Sequence, residues 1–231
     1  MEGLELAARF SHAPNSLGLC GPKGFDVGNK RLLLSQMKKF RAPYAYLQLI
    51  AKANGKKPFD FDVVEAFWLG NNLLEKVKRA DAARMIKTKF TGKGRLPVKR
   101  ANELADSLPL KVYPHHSFHV FYIGSISGIL EGKKKMLDLC RISWGRVSRI
   151  GKSKLEVCAK PVVFGKGGAA FGHRRMSNWI LPAASLTFNI GDKVCSHWGV
   201  AIMPISARQQ KNLQKYTAIN MGLYKTRPPR Q

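Results

Sequence analysis

The sequence predicts an α+β protein: a helical N-terminal part, a small β-barrel, and a C-terminal helix with a basic tail. Three observations predict it. Apolar residues recur at helical spacing through the first half. The second half turns to runs rich in Val, Ile and Cys, separated by glycine-bearing turns. Ser206-Ala207-Arg208-Gln209 then reads as a capping box that opens a last helix.

Met1 to Phe10 carries Glu2 and Glu5 and no long apolar run, so nothing there reads as a secretory signal. Pro14-Asn15 and Gly21-Pro22 mark turns. Leu32, Leu33, Gln36 and Met37 predict a helix over Asn29 to Phe40. Pro43 allows a second from Tyr44 to Ala53, stopped by Asn54-Gly55. Asp60 and Asp62 open a third, with Val63, Phe67, Leu74 and Val77 in one stripe and Gly70 on the same face. A fourth covers Asp81 to Lys89, and a fifth runs from Pro97 to Leu108. The linker falls at Glu131-Gly132-Lys133-Lys134-Lys135, separating a mainly helical domain, 1–132, from a barrel domain, 133–231. Leu137 to Ile150 and Leu155 to Phe164 read as a hairpin around Gly151-Lys152-Ser153-Lys154. A glycine-rich loop, Gly165 to Gly168, follows, with strands around Asn178 to Phe188 and Lys193 to Met203. The tail from Lys225 to Arg230 reads as extended.

The chain has 231 residues, 45% hydrophobic, which is enough for a real core. It carries 40 Lys and Arg against 14 Asp and Glu, a net charge of +26. A folded chain with that charge repels itself, and a polyanion relieves the repulsion. Nucleic acid does so with release of counterions. Both parts are basic: residues 1–136 hold 24 cations and 11 acids, and residues 137–231 hold 16 and 3. The candidate RNA contacts lie in runs. Lys87, Lys89, Lys93 and Arg95 share a loop with Gly and Thr, followed by Lys99 and Arg100. Lys133, Lys134 and Lys135 occupy the linker, and Arg146, Arg149, Lys152 and Lys154 surround the hairpin turn. Lys166, Arg174 and Arg175 belong to the second basic loop, where Phe171 or His173 could stack on a base. Arg208, Lys211 and Lys215 fall on one face of the last helix, and Lys225, Arg227 and Arg230 lie in the tail. Glycine lets backbone N–H groups approach phosphate while Lys and Arg supply the field.

Other chemistry is poorly supplied. No stretch reaches the roughly 20 apolar residues of a membrane span. Cys20, Cys140, Cys158 and Cys195 show no C-x-x-C spacing, which suits a reducing compartment better than a zinc ribbon. There is no nucleotide-binding loop, nucleophile elbow or paired-carboxylate signal. His115 and His119 are four apart, but no Glu follows His115, so RNA contact or packing beside Phe118 and Phe121 is expected of them. The expectation is a non-enzymatic, cytoplasmic, ribosome-associated RNA-binding protein. Its partners would be ribosomal RNA and neighbouring ribosomal proteins, with no membrane, cofactor or metal.

One resemblance gives an alternative. Cys140-Arg141-Ile142-Ser143-Trp144-Gly145-Arg146-Val147 resembles the C-x-x-I-P-G-x-V opening of the HypC/HupF hydrogenase-maturation chaperones, with Ser143-Trp144 in place of Ile-Pro. Gly191 to Ile202 is similar to that family's G-D-x-V-x-x-H-x-G-x-A-I, agreeing at seven positions. The resemblance implies an OB-like barrel followed by a helix. It also implies a metallocentre chaperone in which Cys140 and His197 help hold iron with a partner protein of the hydrogenase-maturation machinery. The segment Ser11 to Pro22 looks like the opening of a family of uncharacterised proteins of similar length that end in the same barrel.

Overall fold

Caps and glycines set the ends of several helices in the first half. The computed structural model describes the chain except residues 1, 23, 25, 27, 125, 127–132, 183–185 and 229–231. Helix α1 spans Gly3–Ser16 and is opened by a capping box between Glu2 and Glu5. It replaces the turn expected at Pro14-Asn15: Pro14 lies inside its last turn. Helix α2, Lys30–Met37, is capped by the Asn29 side chain, which accepts from Leu32 N. Helix α3, Arg41–Asn54, begins earlier than expected because Pro43 is tolerated in a first turn. It ends on Gly55 in the left-handed conformation.

The third expected helix is broken. Helix α4 covers Phe61–Trp68, and a 3₁₀ turn covers Asn72–Lys76. Gly70, with φ of +86°, separates them, yet Val63, Phe67, Leu74 and Val77 are all buried as the stripe predicts. Helices α5, Arg79–Lys89, and α6, Val98–Asp106, follow as expected. A one-turn helix α7, His116–Phe118, runs into a π-helical segment, His119–Ile123. Of the expected linker, Glu131 and Gly132 lie outside the described residues, and helix α8 occupies Lys134–Cys140.

The start of the expected hairpin is therefore helical, and the strand run begins only at β1, Ser143–Ile150. The second run divides into β2, Lys154–Ala159, and β3, Val162–Gly165, parted at Lys160-Pro161. The glycine-rich loop is the tight turn from β3 to β4, Gly168–Phe171. Then come β5, Arg175–Ile180, β6, Lys193–His197, and β7, Val200–Pro204. Residues 183–185 of the expected 178–188 strand lie outside the described residues. Five strands close a barrel in the order β1-β2-β5-β7-β6, with β3 and β4 as a separate ribbon. Only β5 and β7 pair in parallel; the other barrel pairs are antiparallel.

Alternation sets the barrel interior. Val147, Leu155, Val157, Trp179, Val194 and Ala201 form one buried cluster. The opposite faces supply Trp144, Cys195 and Ile202 to the main core, together with Phe10, Tyr46, Phe67 and Trp68 from the helices. Apolar residues from both halves of the chain thus enter one cluster. Helix α9, Ala207–Thr226, closes the structure and starts at the predicted capping box of Ser206 and Gln209. It replaces extended tail as far as Thr226, and Arg227 stacks on Tyr224. No helix among the described residues is long and apolar enough to cross a membrane.

Helix α9 is pinned to the helical half by polar contacts. Buried Glu65 accepts from Gln209 Nε2 at 2.8 Å and from Asn71 Nδ2 at 3.0 Å. Tyr216 Oη donates to the Asn71 carbonyl at 3.0 Å, and its ring covers Gly70. A Cβ on Gly70 would lie 2.4 Å from the Tyr216 ring, in a backbone conformation that side chains rarely adopt. Gly70→Ala should therefore destabilise the fold by roughly 2–4 kcal/mol. Gly18→Ala, also at positive φ but with open space around it, should cost only about 1 kcal/mol. Chemical denaturation of the two variants tests the difference.

Candidate metal centre

Three residues far apart in the sequence converge on one point. His116 comes from α7, Cys140 from the last position of α8, and His197 from the end of β6. One potential ligand atom from each lies within 4.8 Å of the others. All three residues are buried. His116 and His197 meet edge to face, with ring centroids 5.1 Å apart.

Each imidazole is positioned by a carbonyl that its local structure leaves without a helical partner. In α1 the Phe10 carbonyl would normally receive the N–H of residue 14, but Pro14 has none. His197 Nδ1 takes that place at 2.7 Å. At the end of α8 the last carbonyls also lack helical donors. His116 Nε2 meets the Cys140 carbonyl at 2.8 Å, and Trp198 N donates to the Leu139 carbonyl at 2.9 Å. A carbonyl only accepts, so each of those ring nitrogens carries the proton. In those tautomers the other nitrogens, His116 Nδ1 and His197 Nε2, are the acceptors, and the Cys140 carbonyl lies close to the His197 imidazole as well. Both acceptor nitrogens are buried without a hydrogen-bond partner.

The exit of α8 is clamped. Buried Arg141 pairs with Asp138 at 2.8 Å and donates to the Lys160 carbonyl at 2.6 Å. Asp138 also accepts from Val162 N at 2.9 Å, so β3 and the junction before it hold the end of α8 that bears Cys140. Trp198 and Gly199 form the two-residue turn from β6 to β7, both at positive φ. Trp198 is the one non-glycine residue at positive φ among those described. That strained conformation puts its indole beside the site.

Trp68 forms one wall, with ring centroids 4.6 Å from His116 and 5.5 Å from His197. Phe10 stacks behind it at 5.0 Å. The group faces a cavity of about 610 Å³ that Cys20, His119 and Trp198 also line. Lys38, Lys39, Arg41 and Arg95 border the same cavity, so its walls carry positive charge.

Burial sets the protonation states. It holds His197 and His119 down to about 4, and His115 to about 3. His116 lies well below the ordinary value, first through burial and then through repulsion from His197. Burial and the nearby Cys20 push the Cys140 thiol up, while the Trp198 indole pulls the other way. The site thus presents two neutral imidazoles and a protonated thiol, and a cation binding there displaces the thiol proton.

The sequence reading placed Cys140 and His197 together and missed His116. It paired His115 with His119, but His115 is the extended N-cap of α7, outside the helix, and the two rings bond different partners. His115 bonds Ser117 Oγ and the Trp68 carbonyl, while His119 contacts Tyr46 Oη at 3.3 Å. The leading expectation named no metal, the alternative placed iron at Cys140 and His197, and His116 stands beside that pair.

The expected RNA contacts divide. Arg100 is buried, bonded to Glu103 and to the Pro228 carbonyl, and so serves the fold. Lys87 pairs with Asp106, Arg149 with Glu156 and Lys215 with Glu75. Arg146 donates to the Gly191 carbonyl, and Arg95 to those of Lys89 and Thr91. Lys89, Lys93, Lys99, Lys133, Lys134, Lys135, Lys152, Lys154, Lys166, Arg174, Arg175, Arg208, Lys211 and Lys225 are exposed. Arg230 lies outside the described residues.

All 231 residues match the model of a family described as a "Family of unknown function (DUF6390)". No curated protein and no solved structure matches the chain.

The buried histidines fix the sign of one pH effect. Their folded-state pKa values lie below the unfolded value of about 6.5, so the unfolded chain binds more protons under mild acid. Stability of the metal-free protein should be complete above about pH 6.5 and fall as the pH drops toward 4, with His115 contributing down to about 3. Denaturant midpoints measured between pH 7 and 4 should shift downward, with a dependence steeper than one proton.

Proposed function

We propose that this chain, which belongs to the DUF6390 family, binds a transition-metal centre through His116, Cys140 and His197 and handles it as cargo. The observation that carries the reading is a buried group of two imidazoles and a thiol with ligand atoms within 4.8 Å of one another, in which each imidazole has one ring nitrogen without a hydrogen-bond partner. An unsatisfied buried polar atom costs roughly 1–3 kcal/mol, and two beside a cysteine are costly unless something binds there. Imidazole and thiolate suit zinc and iron(II). Metal bonds of about 2.0–2.3 Å need donors some 3.5 Å apart in a tetrahedral site, so a contraction of about 1 Å suffices. The Phe10 and Cys140 carbonyls would act as the outer shell that fixes each imidazole's tautomer.

Three protein donors leave a position open, as a site that exchanges its metal requires. The likeness of Gly191 to Ile202 to the HypC/HupF chaperones supports iron as the cargo and a protein as its recipient. The barrel order supports an OB-like reading. Counted along the chain, the barrel strands neighbour one another as first, second, third, fifth and fourth, with the third and fifth parallel. The role is one of binding and delivery, with no reaction catalysed by the chain.

A second reading, RNA binding on the outer surface, draws on a different observation. Exposed cations occupy three successive turns of the barrel half: Lys152 and Lys154, then Lys166, then Arg174 and Arg175. The turn after the first barrel strand is one that OB-folds use for oligonucleotides. Ribosomal RNA would be the partner under this reading.

Calorimetric titration of the reduced chain with Zn(II), and anaerobically with Fe(II), should give one site per chain. Cys140→Ser and His197→Ala should each weaken it by roughly 100-fold or more, and His116→Ala by at least about tenfold. Pro14→Ala restores an N–H that competes with His197 for the Phe10 carbonyl. It should weaken the site roughly tenfold while leaving thermal stability equal or higher. Absence of binding by the unaltered protein would refute the reading. For the second reading, RNA affinity should fall steeply with salt and drop when Arg174 and Arg175 are both replaced by Ala. Salt-independent affinity would exclude it.

A further inference from the structure

The three-donor group does not exhaust the sulfur around the cavity. Cys20 lines the same space as His116, Cys140 and His197. Its thiol is pushed up to about 11 by burial, and it lies near enough to Cys140 to raise that thiol's pKa through charge. Cys20 is free, as is Cys140.

Its position is built. Asn15, buried at the end of α1, donates through Nδ2 to the Cys20 carbonyl at 2.9 Å and to the Pro22 carbonyl. Leu19 N donates to the Pro14 carbonyl at 2.9 Å. Gly21 has φ of +83°, and a Cβ there would meet the Phe40 ring at 2.2 Å. Only glycine fits beneath that ring, so the turn from Leu17 to Pro22 is fixed on both sides of Cys20. The last turn of α1 therefore serves the site twice: Pro14 frees the carbonyl that orients His197, and Asn15 holds the turn that bears Cys20.

We propose that Cys20 is a fourth donor, which moves onto a thiophilic divalent metal held by His116, Cys140 and His197 and closes the site as two thiolates and two imidazoles. This rests on the metal-binding reading above and extends it. The tight group of three does not include Cys20, so the closed state requires the Cys20 side chain to turn inward from that fixed turn. Two donor states follow. With Cys20 away, the metal has an open position that an incoming partner's ligand can take. With Cys20 bound, coordination is complete and tetrahedral. Binding releases a proton from each thiol, and no oxidant or reductant is required.

The test uses Co(II) as the probe, added to the full-length reduced chain. The unaltered protein should show tetrahedral ligand-field bands and a sulfur-to-cobalt charge-transfer band of two-thiolate intensity. In Cys20→Ser the ligand-field bands should persist while the charge-transfer band falls to about half and affinity drops roughly 10–100-fold. Identical spectra and affinity in Cys20→Ser would overturn the fourth-donor proposal and leave the three-donor site standing. No Co(II) binding by the unaltered protein would overturn both. X-ray absorption of the Zn(II)-loaded unaltered protein gives an answer that needs no variant. Two sulfur neighbours are expected, and one would refute the proposal.

Discussion

Much of this structure hangs on one missing hydrogen-bond donor. Pro14 cannot give an N–H to the Phe10 carbonyl, and that carbonyl instead meets His197, 187 positions later in the chain. The contact fastens the first helix to the end of a barrel strand and fixes which imidazole nitrogen keeps its lone pair. The end of α8 repeats the device. Its terminal carbonyls engage His116 and Trp198, so a helix terminus that would otherwise call for water is satisfied by residues of the site. Backbone groups that normally sustain helices are used here to aim side chains.

That arrangement has a thermodynamic cost, which burial alone does not explain. A core built only for stability would place apolar groups beside Trp68 and Phe10. Here the same wall packs against two imidazoles whose free nitrogens find no partner. Trp198 adds a positive φ that a hairpin turn ordinarily assigns to Asn or Gly. Several local penalties thus meet at one point, which is where the proposed bound group would offset them. The positive cavity border fits a centre bearing negative ligands, and it draws on the surplus charge that first suggests RNA.

How far the sequence reveals this depends on whether the signal is local. The helices at Lys30–Met37, Arg79–Lys89 and Val98–Asp106 and the capping box of the last helix are legible because period and caps lie within a few residues. The break at Gly70 is not, because it answers to Tyr216, far away in sequence. The expected strand start at Leu137 fails for a similar reason: Leu and Cys suit a buried helix turn as well as a strand. Cys140 and His197 are visible through a resemblance that spans the barrel. His116 is hidden because helical spacing selects its neighbours, and His115 lies outside the helix as its extended N-cap, which removes that spacing.

A site shared in this way requires both halves of the chain. His116 belongs to the helical half, whereas Cys140 and His197 belong to the half that begins with α8. The orienting carbonyl of His197 comes back from the first helix, and that of His116 from Cys140 itself. Each half therefore holds part of the donor set and part of the support for the other's donors. A barrel alone would keep a thiol and an imidazole but lose the group that fixes the imidazole's tautomer. The helical half alone would keep one imidazole with nothing to face. The common hydrophobic cluster supplies the rigidity that this division needs, since donors on separate elements converge only if those elements keep their spacing.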